Sequence, residues 1–135
     1  MTAPVSMGTP LLSNLDIIEN IALIKEVHER LSRKEAHSVA KKALDAVGYG
    51  HIAHYRSVQC NIKELFIAQL VRATMLHYAK IVIIRPFVML KDTEDIRTMA
   101  DVVFQIAKAH ECMVLDMKTN KSKYEAGGNR CLIIV

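Results

Sequence analysis

The stretch from Gln59 to Leu90, QCNIKELFIAQLVRATMLHYAKIVIIRPFVML, decides the reading of the fold. Asn61 is placed to cap a helix and Glu64, three positions on, to close a capping box. From Leu65 to Leu76 the helix is apolar on most sides, so it belongs inside the molecule rather than on its surface. Lys80 then introduces IVII, a β-branched run that Arg85-Pro86 ends, and such a run reads as a strand covered on both faces. A buried helix running into a buried strand predicts an α/β fold.

Upstream, Met1 to Pro10 reads as a flexible N-terminal tail, small and polar, with two prolines and a glycine. Ser13 or Asn14 is expected to cap a helix whose apolar positions Ile17, Ile21, Ile24 and Leu31 recur at helical spacing. A second helix follows at once, with Ser32 and Glu35 in capping-box register, a face of Ala36, Val39, Ala40, Ala43 and Val47, and Gly48 as its stop. Two helices joined so tightly form a hairpin. Tyr49 to Val58 is then a loop.

Downstream, a helix is expected to start at Asp92 or Thr93, with Ile96, Met99, Ala100, Val103 and Ala107 on one face. CMVLDM reads as a second strand, which makes Lys80 to Met117 a parallel βαβ unit. Thr119 to Asn129 is a polar loop, and CLIIV a last strand. The expected organisation is a tail (1–10) and one domain (11–135), divided into a helical part (11–60) and a βαβ core (61–135).

With 135 residues, 51% hydrophobic and 24% charged, the chain has the composition of one folded globular domain. A formal charge of +4 is only mildly basic, and with few aromatics and no clustered basic face it does not point to nucleic acid. Three cysteines, far apart and without metal spacing, suit a reducing compartment, and the expected location is the cytoplasm. No signal peptide and no bilayer-long apolar run is visible.

Beyond these readings, the central stretch resembles the part of ABC-transporter ATPase domains that runs from the signature motif through its helix to the Walker B strand and the D-loop. In that family a glutamine precedes LSGGQ, and four apolar residues lead into Asp-Glu-Pro. Here Gln59 precedes Cys60-Asn61-Ile62-Lys63-Glu64, Arg72-Ala73 sit in the helix, and IVII leads into Arg85-Pro86. PLLSNLDIIENIAL, from Pro10 to Leu23, is similar to the sequence that follows the family's Q-loop, most of all in the ATPase subunits of Mla-type lipid-transport systems. The resemblance spans nearly the whole chain but only the latter part of a full ATPase domain. It implies a partial P-loop-NTPase-like fold: a helical subdomain plus a small, mainly parallel sheet with helices packed on it.

The same resemblance implies that the chemistry is gone. Phosphoryl transfer depends on a glycine-rich phosphate loop, a metal held by carboxylate and hydroxyl, and a residue that orients the attacking water. No phosphate loop occurs in this sequence. Cys60 to Glu64 stand as a degenerate signature, and Ile84 and Arg85 as a degenerate Walker B end. Val88, Met89, Leu90 and Lys91 occupy the D-loop position, and Met117 that of the switch histidine. The expectation is a protein without catalytic residues, nucleotide site, metal or other cofactor: a non-hydrolytic structural or regulatory module. The alternative is one half of an ATPase whose phosphate loop lies on another chain. Expected partners are a second copy, an ABC permease or an intact ATPase subunit, with the inner membrane reached only through such a partner.

Three further groups of residues have ordinary readings. His51 and His54, near Cys60, lack a full metal-ligand set. Lys118, Lys121 and Lys123 read as a solvated loop. Arg85 and Asp116, at neighbouring strand ends, are expected to form a buried ion pair.

Overall fold

A computed structural model describes residues 1–90, 96–122 and 133–134, with side chains described for 1–90 and 101–122. Four strands, β1 (Thr2–Val5), β2 (Lys80–Ile84), β3 (Cys112–Leu115) and β4 (Ile133–Ile134), form one parallel sheet in the order β1-β2-β3-β4. Between β1 and β2 lie helices α1 (Ile17–His28), α2 (Arg33–Ala46) and α3 (Ile62–Thr74); between β2 and β3 lie α4 (Pro86–Met89) and α5 (Ile96–Ala107). The fold is thus mixed α/β with a small parallel sheet.

The presumed tail is the first strand. Thr2 to Val5 pair in parallel with Lys80 to Ile83, and Ala3 and Val5 are buried. Proline at position 4 is tolerated because β1 is at an edge of the sheet, where one face of the backbone needs no donor. Sheet and helical part therefore begin in reverse of the expected order, and one cluster of buried residues runs through both.

The first helix also starts later than expected. Its cap is Asp16, whose carboxylate accepts the Glu19 N–H at 2.8 Å while Glu19 returns to the Asp16 N–H at 3.1 Å. Ser13 and Asn14 lie in the preceding loop, which the buried Asn20 holds: its Oδ1 accepts the Leu12 N–H at 2.7 Å, and its Nδ2 donates to the carbonyls of Leu12, Leu15 and Asp16. Helix α2 is capped by Ser32 and Glu35 as expected, and Gly48, at φ +81°, sits just beyond its end in the left-handed region where glycine is favoured. The start expected for α5 at Asp92 or Thr93 lies outside the described residues.

The largest departure concerns the face of β2. Ile81 and Ile83 are fully buried, but Val82 and Ile84 only partly, so the strand is covered on one face. Register puts Ala3, Ile81 and Cys112 in one row, and Val5, Ile83 and Val114 in the next; both rows join the core. Residues of all five helices with described side chains pack on that core, including Phe66, Phe87 and Ala107. The opposite rows, Pro4-Val82-Met113 and Ile84-Leu115, take no part in it. Crossovers that run in one direction across a parallel sheet, with the right-handed sense usual for such units, put their helices on the same side, which accounts for the face that the described helices leave uncovered. β2 is paired along both edges, by β1 and β3.

Candidate functional site

In an open parallel sheet the carboxyl ends of the strands are where connecting loops gather side chains. Here that edge carries Ser6 after β1, Arg85 after β2 and Asp116 after β3. Arg85 is exposed and adopts the left-handed conformation, φ +49° and ψ +60°, directly before Pro86. A β-carbon is disfavoured there, and a following proline adds its own clash. Two hydrogen bonds hold the turn, from the Arg85 N–H to the Leu115 carbonyl at 2.7 Å and from the Val88 N–H to the Arg85 carbonyl at 3.1 Å.

The expected buried ion pair between Arg85 and Asp116 does not form. Asp116 is buried, but its Oδ1 accepts the Met117 N–H at 2.7 Å and the Asn120 amide at 3.0 Å. Arg85 enters none of the ion pairs among the described residues. The Asp116 carboxylate is engaged by donors of its own loop, and the left-handed turn leaves the arginine in solvent.

The residues matched to the signature motif begin α3 and serve to start it. Asn61 Oδ1 accepts the Glu64 N–H at 2.8 Å, and Glu64 Oε1 accepts the Asn61 N–H at 2.9 Å. Ile62 is half exposed and Lys63 exposed. Cys60 is partly buried; desolvation, then the Glu64 charge, push its thiol above the usual range, which disfavours a reactive thiolate. At the D-loop position, Pro86–Met89 form α4, with Met89 buried, Val88 partly so and Leu90 packed on the core; Lys91 lies outside the described residues. Met117 is half exposed. No hydrogen bond or ion pair among the described residues joins the start of α3 to the end of β2.

Two polar residues within the apolar helix tie this edge down; the sequence reading placed Arg72 in the helix without this role and did not single out Gln69. Gln69 Oε1 accepts the buried Ser6 N–H at 3.2 Å. Arg72 donates to the carbonyls of Thr9 at 2.6 Å and Pro10 at 3.1 Å, and burial lowers its pKa. Uncapped carbonyls after a strand need donors, and α3 supplies them. The signal was a glutamine and an arginine one turn apart in a helix otherwise without polar residues at its centre.

The histidines are peripheral. His51 lies 3.5 Å from Glu64 and stacks on Tyr49 with 5.8 Å between ring centroids, while His54 lies 3.6 Å from Asp16; both are exposed. They belong to the 49–56 segment, whose Tyr55 and Ala53 carbonyls accept the N–H groups of Ile17 and Ile18. No group of three or more potential ligands able to hold a metal occurs among the described residues. At the opposite, amino edge of the sheet, a cleft of about 520 Å³ lies between His77, Tyr78, Lys80, His110 and Glu111. Its lysine is 3.5 Å from its glutamate, so its charges are mixed.

Two features of the sheet therefore stand out: a carboxyl edge with an exposed arginine in a strained turn, and beside it a half-covered apolar face. No family model matches this sequence, and no curated protein shows significant similarity to it.

Proposed function

We propose that the chain is a non-hydrolytic interaction module of a transport system, a partial P-loop-NTPase-like layer that works by docking rather than by turning over nucleotide. The observation that carries this reading is the sheet itself, which among the described residues is covered by helices on one face and is apolar and partly exposed on the other. Parallel sheets are stable when both faces are covered, and the rows that the described helices leave partly exposed suit contact with a second protein surface. At the end of the central strand stand Ile84, which has no oxygen to give a metal, and an exposed Arg85. Both suit a scaffold better than a phosphoryl-transfer site.

The partner class that fits the family resemblance is an ABC permease or an intact ATPase subunit. The place of action is then the cytoplasm, at the inner membrane through that partner, and lipid transport is the process the Mla-type likeness suggests. Among the described residues no helix is long and apolar enough to cross a membrane. The bare face also favours a second reading, in which another chain supplies the phosphate loop and the missing layer together. Calorimetric titration with Mg-ATP and with ADP separates the two. The module reading expects no heat up to millimolar nucleotide, with or without a copurifying partner fragment. Micromolar binding by the chain alone overturns it, and binding only in the presence of a phosphate-loop fragment establishes the second reading.

A further inference from the structure

We infer that the outer edge of β1 is closed to strand addition by a lock made of Pro4, Thr9 and Gln69, so that no partner strand lengthens the sheet at that end. The inference concerns how the chain can be engaged and holds whether or not the interaction-module reading does.

Among the described residues β1 ends the sheet and pairs with β2 alone. An end strand presents a row of N–H and C=O groups that another extended chain can take up, and main-chain hydrogen bonds supply the affinity of such additions. Backbone groups of successive residues in a strand point to opposite edges. The Lys80 N–H donates to the Met1 carbonyl at 3.1 Å, which with the register of Thr2 on Lys80 turns the backbone groups of Met1, Ala3 and Val5 towards β2. Those of Thr2 and Pro4 therefore point outward.

From Pro4 onward the outward groups find their partners inside the chain. Pro4 has no N–H to offer, and its carbonyl accepts the Thr9 hydroxyl at 3.5 Å. Ser6, next in the alternation, gives its N–H to Gln69 Oε1 at 3.2 Å, and its carbonyl accepts the Thr9 N–H at 3.3 Å. The turn that carries Thr9 is itself held: the Ser6 and Thr9 hydroxyls lie 3.1 Å apart, and Arg72 donates to the Thr9 carbonyl at 2.6 Å. Only Thr2 is left to offer an outward N–H and carbonyl. One residue is less than strands usually pair over, so an added strand gains too few main-chain bonds to stay.

The test uses a labelled peptide with the β2 sequence Lys80–Ile84 between added lysines, and a control peptide of the same sequence with every backbone nitrogen methylated. Fluorescence anisotropy with the full chain is expected to show no saturable binding of either peptide up to millimolar concentration. Pro4→Thr combined with Thr9→Ala restores an outward donor and frees the carbonyl at position 4. That double variant should gain at least about tenfold in affinity for the unmethylated peptide and none for the methylated one. Pro4→Thr alone, at an exposed position, takes its place if the double variant does not fold. Saturable binding of the unmethylated peptide alone by the wild-type chain, which Val5→Ala at the same strand weakens, shows an open edge and overturns the inference. A folded double variant, or failing it the single one, that gains no affinity also overturns it, as does one that gains equally for both peptides.

Discussion

Single side chains hold the joints of this molecule, and Asn20 holds the most. Its amide makes four hydrogen bonds to the loop before α1 while only 3% exposed. Asn20→Ala takes the side-chain partner from the Leu12 N–H and the Leu15 carbonyl, while the Leu12 and Asp16 carbonyls keep the N–H groups of Leu15 and Asn20, and it should cost about 1–3 kcal/mol, read from the urea midpoint. A loss under about 0.5 kcal/mol means that water replaces the amide. Arg85 works in the other direction: its left-handed backbone is one that only glycine adopts without cost. Arg85→Gly should therefore raise stability by about 0.5–1 kcal/mol, and a lowered midpoint would show the turn to be unstrained. Acid acts through Glu19 and Glu29. The Asp16 backbone N–H, then Arg33, hold the Glu19 carboxyl below its ordinary value, and Lys25 does the same for Glu29. Folded values below unfolded ones mean that this stabilisation is complete above the unfolded carboxylate pKa of about 4.3 and fades as pH falls through the folded values. Glu19→Gln should shallow the loss of stability on acidification, and an unchanged acid slope would count against that linkage. The capping pairs were legible beforehand because spacing alone defines them, as at Ser32 with Glu35 and Asn61 with Glu64. Asn20 was not, since a buried asparagine in a helix looks like any polar position until the loop it holds is known.

Elements were legible where their signals are local and missed where they depend on a partner strand. Helices α1, α2 and α3 and strand β2 follow from periodicity and caps, although Asp16 rather than Ser13 or Asn14 opens α1. β1 could not be read from TAPV, four residues with a proline and no β-branched run. Its existence comes from pairing with β2 and from the Gln69 and Arg72 contacts that hold the chain just after it. An alternation of exposed Thr2 and Pro4 with buried Ala3 and Val5 makes the strand part of the core rather than an ornament of its edge. Val5→Ala, at a fully buried position, should thus cost about 2 kcal/mol, whereas the same change in a flexible tail costs nothing. Denaturant melts compare the two, and amide exchange at Lys80 to Ile83 should speed up in the variant if β1 loosens from its neighbour.

At the scale of the whole molecule, the sequence of β2 and its fold disagree. IVII is apolar on both faces, and a strand so composed is expected between two layers; only one layer is present among the described residues. Nothing in a single sequence could reveal this, because burial on the second face depends on where the crossovers place the helices, not on the strand. Two neighbouring isoleucines measure the asymmetry directly. Ile83 is fully buried in the core, while Ile84, next along the same strand, lies on the open face and is only partly covered. Ile83→Ala removes the same atoms as Ile84→Ala but leaves a cavity, and should cost about 3–4 kcal/mol against about 1 kcal/mol or less. Equal costs would mean that the second face is packed by the chain itself.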